Sequence, residues 1–299
     1  MSILVVGSVA LDTVETPSGS VLDTMGGSAL YFSSASRFFA KTNVVGVVGK
    51  DFDFSQVKFL QNDGVNLDGL VVEEGNTFRW GGKYHDELNL RDTLFTELNV
   101  FENFNPVLPK HYQNCQYIFL ANIDPVLQLK VLDMVDNPKL TVLDTMDYWI
   151  MGHRETLEKV LQRVDMLILN DEELQQLTNS SHLYKAANSL LKTGLKYLVI
   201  KRGEYGAVLV TNTGYFFTPA YPVQTVIDPT GAGDVFAGGL IGHLAKTKEI
   251  NDNALRRAVV YGSVLASYTV EDFSFNNLKS ITQQDIENRF TELQAMTSF

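Results

Sequence analysis

The sequence predicts an α/β fold: a mostly parallel central sheet flanked by helices, with one exposed β excursion. Three observations carry this expectation. Short apolar runs rich in β-branched residues recur along the chain, stretches with helical spacing lie between them, and one aromatic and charged insertion at 77–98 breaks the alternation. Apolar runs of that kind read as strands buried on both faces. Strand and helix in alternation give a parallel sheet covered by helices.

In chain order, 3–6 is the first strand, 28–39 the first helix and 43–48 the next strand. The insertion at 77–98 sets Phe78, Arg79, Trp80, Tyr84, Asp86, Asn89 and Arg91 around Gly81-Gly82, which suits a hairpin or lid better than a core strand. Further strands are expected at 117–121, 141–144, 166–170, 197–201 and 207–210, with helices at 126–134, 157–164, 172–177 and 183–191. From Gly231 onward the pattern turns helical, at 234–245, 252–268 and 282–293. No repeat and no Pro/Gly/Ser-rich linker divides the chain, so 1–299 reads as a single domain.

Lys and Arg number 24 against 35 Asp and Glu, a net charge of −11. A sequence-tolerant nucleic-acid binder needs a basic surface that this chain lacks. Mean hydropathy of −0.02 with 45% hydrophobic residues fits a globular chain rather than a disordered or membrane one. The opening Met1-Ser2-Ile3 lacks the basic lead of a secretory signal, and no apolar run approaches the roughly 18 residues of a membrane helix. Cys115 is the only cysteine, so no internal disulfide forms and a reducing, cytoplasmic home is expected. His85, His111, His153, His182 and His243 show no metal-ligand spacing.

The segment Asp228-Pro229-Thr230-Gly231-Ala232-Gly233-Asp234 leads into Val235-Phe236-Ala237-Gly238-Gly239 and carries the most specific chemistry. Small residues at 231–233 let backbone N–H groups turn toward an anion, and a helix starting near Asp234 adds its positive dipole end. A carboxylate there can take the proton of an attacking hydroxyl while the amides hold developing phosphate charge. The alternative is an aspartate that only caps a helix after a glycine turn. Asn170-Asp171-Glu172-Glu173 follows the apolar run 166–169. Residues three apart at a helix start share a face, so Asn170 and Glu173 can jointly hold a hydrated Mg²⁺, or they close a capping box.

The segment 228–241 resembles the second signature of the ribokinase-like (PfkB) carbohydrate kinase family. That resemblance implies a three-layer fold with a small β lid formed from about 13–22 and 77–98, use of ATP and Mg²⁺, and transfer of the γ-phosphoryl group to an alcohol. It implies Asp234 as general base, with Gly231, Ala232 and Gly233 as the anion hole and Thr230 beside the nucleotide. Asn170 and Glu173 match the family's Asn-x-x-Glu element, which implies magnesium held through waters. Lys201-Arg202-Gly203-Glu204-Tyr205-Gly206 resembles the turn that approaches the nucleotide phosphates, making Lys201, Arg202, Gly203 and Gly206 nucleotide-site candidates; a hairpin turn with a solvated cation is the alternative.

On the acceptor side, Gly7-Ser8-Val9-Ala10-Leu11-Asp12 is similar to the family's first strand, whose aspartate receives substrate hydroxyls. A carboxylate can accept two such bonds from a vicinal diol. Gly26-Gly27-Ser28-Ala29 resembles the double-glycine substrate turn, and Gly46-Val47-Val48-Gly49-Lys50-Asp51 places Asp51 near the acceptor. Tyr31 stands where sugar-specific members often carry asparagine; with Phe32, Phe78, Trp80 or Tyr84 it can stack on a nucleobase, or all of them can simply pack. Asn253 and Tyr261 fall in the helix that in relatives helps wall the adenine pocket.

The resemblance therefore implies a kinase acting on a sugar or sugar-like alcohol, with a nucleoside of the adenosine type as the second acceptor class. A catalytically silent nucleotide-binding regulator is the competing class, opposed by the intact Asp234, Asn170 and Glu173. A dinucleotide-binding oxidoreductase fits less well, because no Gly-x-Gly-x-x-Gly follows the first strand. Relatives often dimerise through the lid, and some bind K⁺ near the loop corresponding to 225–230.

Overall fold

The computed structural model describes residues 2–86 and 91–298. The strands are β1 (Ser2–Val6), β2 (Ala10–Thr16), β3 (Gly19–Gly26), β4 (Lys41–Gly49), β5 (Val65–Glu73), β6 (Phe78–Tyr84), β7 (Arg91–Glu97), β8 (Tyr117–Leu120), β9 (Leu140–Asp144), β10 (Met166–Asn170), β11 (Tyr197–Lys201), β12 (Ala207–Thr211) and β13 (Gly214–Thr218). The helices are α1 (Ser28–Ser36), α2 (Lys58–Asn62), α3 (Pro125–Leu132), α4 (Asp147–Gly152), α5 (Arg154–Leu161), α6 (Asp171–Thr178), α7 (Leu183–Leu191), α8 (Ala232–Thr247), α9 (Asp252–Thr269), α10 (Asn276–Ser280) and α11 (Gln283–Thr297).

Nine strands form one sheet in the order β13-β12-β11-β10-β9-β8-β1-β4-β5. Every neighbouring pair from β11 to β5 is parallel, and β12 runs antiparallel to both β11 and β13. Strand periodicity sorts the core into two layers. Ile3 and Val5 of β1 join α1, α8, α9 and α11 on one face, whereas Leu4 and Val6 join α3, α5, α6 and α7 on the other. From β1 the chain winds outward through β4 and β5, then returns to build β8 to β11 on the opposite side. That reversal beside β1 is a topological switch point, and the crevice outside the carboxyl ends of such strands is where open α/β sheets bind ligands.

The lid is a separate sheet of four strands ordered β3-β2-β6-β7. It reaches further than the expected 13–22, because β2 begins at Ala10 and β3 ends at Gly26. The expected stretch 77–98 appears as the β6 and β7 pair; Asn89, with the rest of 87–90, lies outside the described residues. Two strands were not anticipated. In β5, Asp68-Gly69 interrupts the apolar run, and β13 is a five-residue edge strand. The short helices α2, α4 and α10, five or six residues each, were not anticipated either; the remaining strands and helices appear where the apolar periodicity places them, within a few residues at each end.

Candidate active site

Asp144, Asn170 and Lys201 are the last residues of β9, β10 and β11, so the parallel sheet delivers all three to one rim. The glycine loop comes to the same rim. Gly231 caps α8 at φ 75°; Ala232 N donates to Pro229 O at 3.2 Å, which takes that expected amide out of the anion hole, and Val235 N is the next α8 amide to bond back, to Gly231 O at 2.9 Å. The amides of Gly233 and Asp234 fall in the first turn, where a helix leaves its N–H groups without intrahelical acceptors. Together with the dipole of a 16-residue helix they form an anion cradle. A Cβ on Gly231 would collide with the Tyr31 ring, and one on Gly233 would lie 2.8 Å from Lys201 Nζ. The lysine ammonium thus sits in the side-chain space that Gly233 leaves open.

Lys201 Nζ is 3.6 Å from Asp144 Oδ1. Burial works against the lysine charge, but Asp144, Glu173 and Asp234 outweigh it and raise its pKa. Burial, reinforced by the charge of Asp144, pushes Asp234 up to about 8, with Lys201 pulling the other way. Burial likewise raises Asp144 despite the neighbouring lysine. Glu173 is pushed to about 7, again chiefly by burial, opposed by Lys201. One ammonium therefore stands among three carboxyl groups that resist full ionisation.

Asn170 and Glu173 adopt the capping box. Asn170 Oδ1 accepts from Glu173 N at 2.7 Å, and Glu173 Oε2 accepts from Asn170 N at 2.8 Å. Glu173 Oε1 stays outside that box. Among the described residues no group of three or more His, Cys, Asp or Glu could hold a metal ion. The donor set fits Mg²⁺ in its usual hydrated form, since that ion keeps several waters and takes one or two carboxylates plus substrate phosphates.

A cavity of about 470 Å³ opens beside this rim, lined by Asn170, Gln175, Ser181, Lys201, Arg202 and Tyr205 among others. Gly203, at φ 53°, lines it too. Arg202 pairs with Asp171 at 3.6 Å. Gly206 serves the backbone: at φ 86°, a Cβ there would collide with Thr218 O and crowd the chain at 219–220.

On the acceptor side, Ser8 N donates to Ser28 Oγ and Ser28 N to Ser8 Oγ, both at 3.1 Å, tying the end of β1 to the start of α1. This brings Asp12 against the double glycine. A Cβ on Gly26 would collide with the Asp12 carboxylate, and Gly27 adopts φ 90° with Ser8 O close by. Burial first, and the charge of Asp228 second, push Asp12 up to about 7, while the Gly27 amide opposes them. Asp12 also adds to the upward push on Asp234, so the two carboxyl groups are near enough for the charge of one to act on the other. Trp80 lies directly opposite Asp12 in the lid sheet and shares its face. Thr230 Oγ1 donates to Tyr84 Oη of the lid at 3.2 Å.

Other expected positions lie elsewhere or are engaged. Tyr31 is 1% exposed, meets Phe275 edge-on at 5.1 Å and presses on Gly231, so its ring is packed beneath the loop. Its hydroxyl has no hydrogen-bond partner. Asp51 accepts from Thr77 N and Oγ1, both at 2.7 Å, and pairs with Arg79 at 3.0 Å, which occupies it at the base of the lid. Tyr261 stacks between His243 and Phe290 and donates to Glu287 at 2.8 Å, inside the α8–α9–α11 core. Asn253 is exposed at the start of α9, whose Asp252 accepts from Thr213 next to β12. Because β12 is antiparallel, that is the amino edge of the sheet, whereas the α9 C-cap Val270 O accepts from Ile227 N and Asp228 N at the site. Eighteen residues at about 1.5 Å each separate the two ends. The sequence reading missed Asp144, a lone aspartate closing an apolar strand, which no motif marks.

The pfkB family carbohydrate kinase model matches residues 118–280. A cytidine kinase of Thermococcus kodakarensis is 28% identical over 258 residues, covering 84% of this chain and 91% of its own length. The crystal structure of the Methanocaldococcus jannaschii nucleoside kinase superposes with a TM-score of 0.76 at 20% identity, over 97% of this chain and 98% of that one. A Vibrio cholerae fructokinase double mutant with fructose, ADP and a potassium ion bound gives 0.80 at 17% identity, over 97% and 98%. The family match spans more than half of the sequence and includes the glycine loop, the capping-box pair and the Lys201 turn, and the chain belongs to the pfkB family of carbohydrate kinases.

Proposed function

We propose that this kinase transfers the γ-phosphoryl group of ATP to the primary alcohol of a nucleoside. The carrying observation is Asp234 in the first turn of α8, beside the Gly233 amide and within reach of the charges of Asp12 and Lys201. Phosphoryl transfer asks for positioning and charge stabilisation more than covalent chemistry. Asp12 accepts hydroxyls of the acceptor from one side, and Asp234 takes the proton of the attacking hydroxyl from the other. A base works best with a pKa near the working pH, and a value of about 8 meets that demand. The amides of Gly231 and Gly233 and the α8 dipole receive the charge that develops on the transferred group, while the Ala232 amide is engaged by Pro229 O. Asn170 and Glu173 would hold Mg²⁺ through water, which supplies charge neutralisation to the phosphates.

Two observations favour a nucleoside over a free sugar: the similarity to a cytidine kinase over most of both chains, and Trp80 on the Asp12 face of the lid. A sugar is the second reading, favoured by the burial of Tyr31, which removes one stacking candidate. ADP release across a panel of nucleosides, sugars and sugar phosphates, with Trp80→Ala alongside, tests both. A nucleoside whose KM rises severalfold in Trp80→Ala supports the first reading, and release driven only by sugars supports the second. Running the panel in KCl and in NaCl tests the monovalent-cation requirement proposed for the loop 225–230. A homodimer through the lid, whose Leu22 is 80% exposed, is proposed as well and is tested by sedimentation.

A further inference from the structure

The ion pair between Asp144 and Lys201 is badly built as a stability device. Asp144 is 6% exposed, and its Oδ1 makes no hydrogen bond; the ammonium stands 3.6 Å away, beyond hydrogen-bonding range. Enclosing two charges at that separation can cost more in lost hydration than their attraction returns, and an apolar pair of similar volume is often as stable or more so. The arrangement makes sense when the lysine has a third partner to meet.

Geometry identifies where that partner would sit. β10 lies between β9 and β11 in the sheet, so Asp144 and Lys201 end strands about 9–10 Å apart. Only a long side chain spans that gap. Lys201 crosses it and brings Nζ to 2.8 Å from the point a Gly233 Cβ would occupy, alongside the amides of the anion cradle. The end of β9 is itself fixed: Gln128 Nε2 donates to Ala121 O at 2.9 Å and to Asp144 O at 3.2 Å, clamping the ends of β8 and β9 together. Asp144 is thus a rigid counter-charge beyond the lysine.

We infer that Asp144 is a positioning residue for phosphoryl transfer: its carboxylate holds the Lys201 ammonium beside Gly233, where that ammonium meets the transferred phosphoryl group. This rests on the kinase reading above. Lys201 is then the group that touches the phosphoryl oxygens, and Asp144 acts only through it.

The test uses the full chain as wild type, Asp144→Asn, Lys201→Met, the double variant and Asp234→Asn. Turnover, acceptor KM, melting temperature, and affinities for Mg²⁺-AMPPNP and ADP by calorimetry are measured for each. Loss of a preorganised donor at a developing charge costs about 10²–10³ in rate. Lys201→Met is expected in that range and Asp144→Asn at about tenfold or more, with acceptor KM within about twofold. The double variant should be no slower than Lys201→Met by more than about twofold, because coupled residues are not additive. Asp144→Asn should melt no lower than wild type, and both single variants should lose part of the preference for AMPPNP over ADP. Turnover of Asp144→Asn within about threefold of wild type, losses that multiply in the double variant, or a loss that follows a lowered melting temperature would each overturn the inference. Wild type and Asp234→Asn together separate the two levels. Absence of acceptor-dependent ADP release by the wild type removes the kinase reading itself, whereas an inactive Asp234→Asn beside an active Asp144→Asn removes only this inference.

Discussion

Tyr84 of the lid and Thr230 of the glycine loop are joined by a 3.2 Å hydrogen bond between residues 146 positions apart. Thr230 also donates its amide to Asp228 Oδ1 at 2.8 Å, so the lid contact ends on the loop that shapes the anion cradle. Tyr84 is 7% exposed. Thr230 therefore ties the lid directly to the glycine loop.

Tyr84→Phe removes the hydroxyl and keeps the ring. A neutral hydrogen bond contributes about 1 kcal/mol net, so acceptor KM should rise up to about fivefold while nucleotide affinity stays within about twofold. Steady-state kinetics with each substrate varied in turn checks this. Equal changes in both constants would show that the contact does not belong to the acceptor side.

Asp234→Asn keeps the shape of the α8 start and removes the base. General-base catalysis contributes typically 10²–10⁴-fold, and kcat should fall by about that factor. Calorimetry should find ADP affinity near that of wild type, because the first-turn amides remain. A variant that turns over normally would assign proton removal elsewhere.

Gly26→Ala separates the two halves of the site. The new methyl would occupy the space of the Asp12 carboxylate, while Asn170, Lys201 and the cavity beside them belong to other strands. Acceptor KM should rise about tenfold or more, and ATP affinity should be unchanged; backbone and close-contact effects of this kind commonly cost about 1–3 kcal/mol. Circular dichroism confirms that the variant folds.

These contrasts follow the line between what the sequence discloses and what it withholds. Residues 228–234 are contiguous, so spacing alone offered an anion cradle or a plain helix cap, and it was the family resemblance that marked Asp234 as the base and Lys201 as part of the nucleotide turn. Asp144 was invisible because its role exists only through Lys201, two strands away in the sheet and 57 positions away in the chain. Asn253 and Tyr261 lie in α9, yet helical periodicity does not say that it is the C-cap of this helix, not its start, that bonds the loop at 227–228. Asp51 was expected at the acceptor, but its carboxylate is taken by Thr77 and Arg79, partners that only the lid's own fold supplies. The strand β5 escaped for a local reason, since Asp68-Gly69 breaks the apolar run while the neighbouring β4 still pairs along it.

The buried carboxyls give stability a pH dependence with a definite sign. Asp12 and Glu173 are pushed to about 7 and Asp234 to about 8, all chiefly by burial, so the folded chain binds these protons more tightly than the unfolded chain, where Asp and Glu titrate near 4. Their contribution to stability is complete below about pH 4 and is lost as pH rises through 7 to 8. Melting temperature should therefore fall between about pH 5.5 and 8.5. General repulsion from the net charge of −11 acts in the same direction, so the slope alone does not identify its source. Asparagine at 234 cannot ionise, and Asp234→Asn should melt roughly 2–5 °C above wild type at pH 8.5 with a smaller difference at pH 5.5. The catalytic profile runs the other way, since the base must lose its proton: kcat/KM should climb from pH 6 toward 8, reporting the coupled Asp234, Asp144 and Lys201 cluster rather than one residue. Melting curves of the two proteins that stay parallel across this range would mean that Asp234 is as easily ionised in the folded chain as in water, and the base would then need another source for its raised affinity.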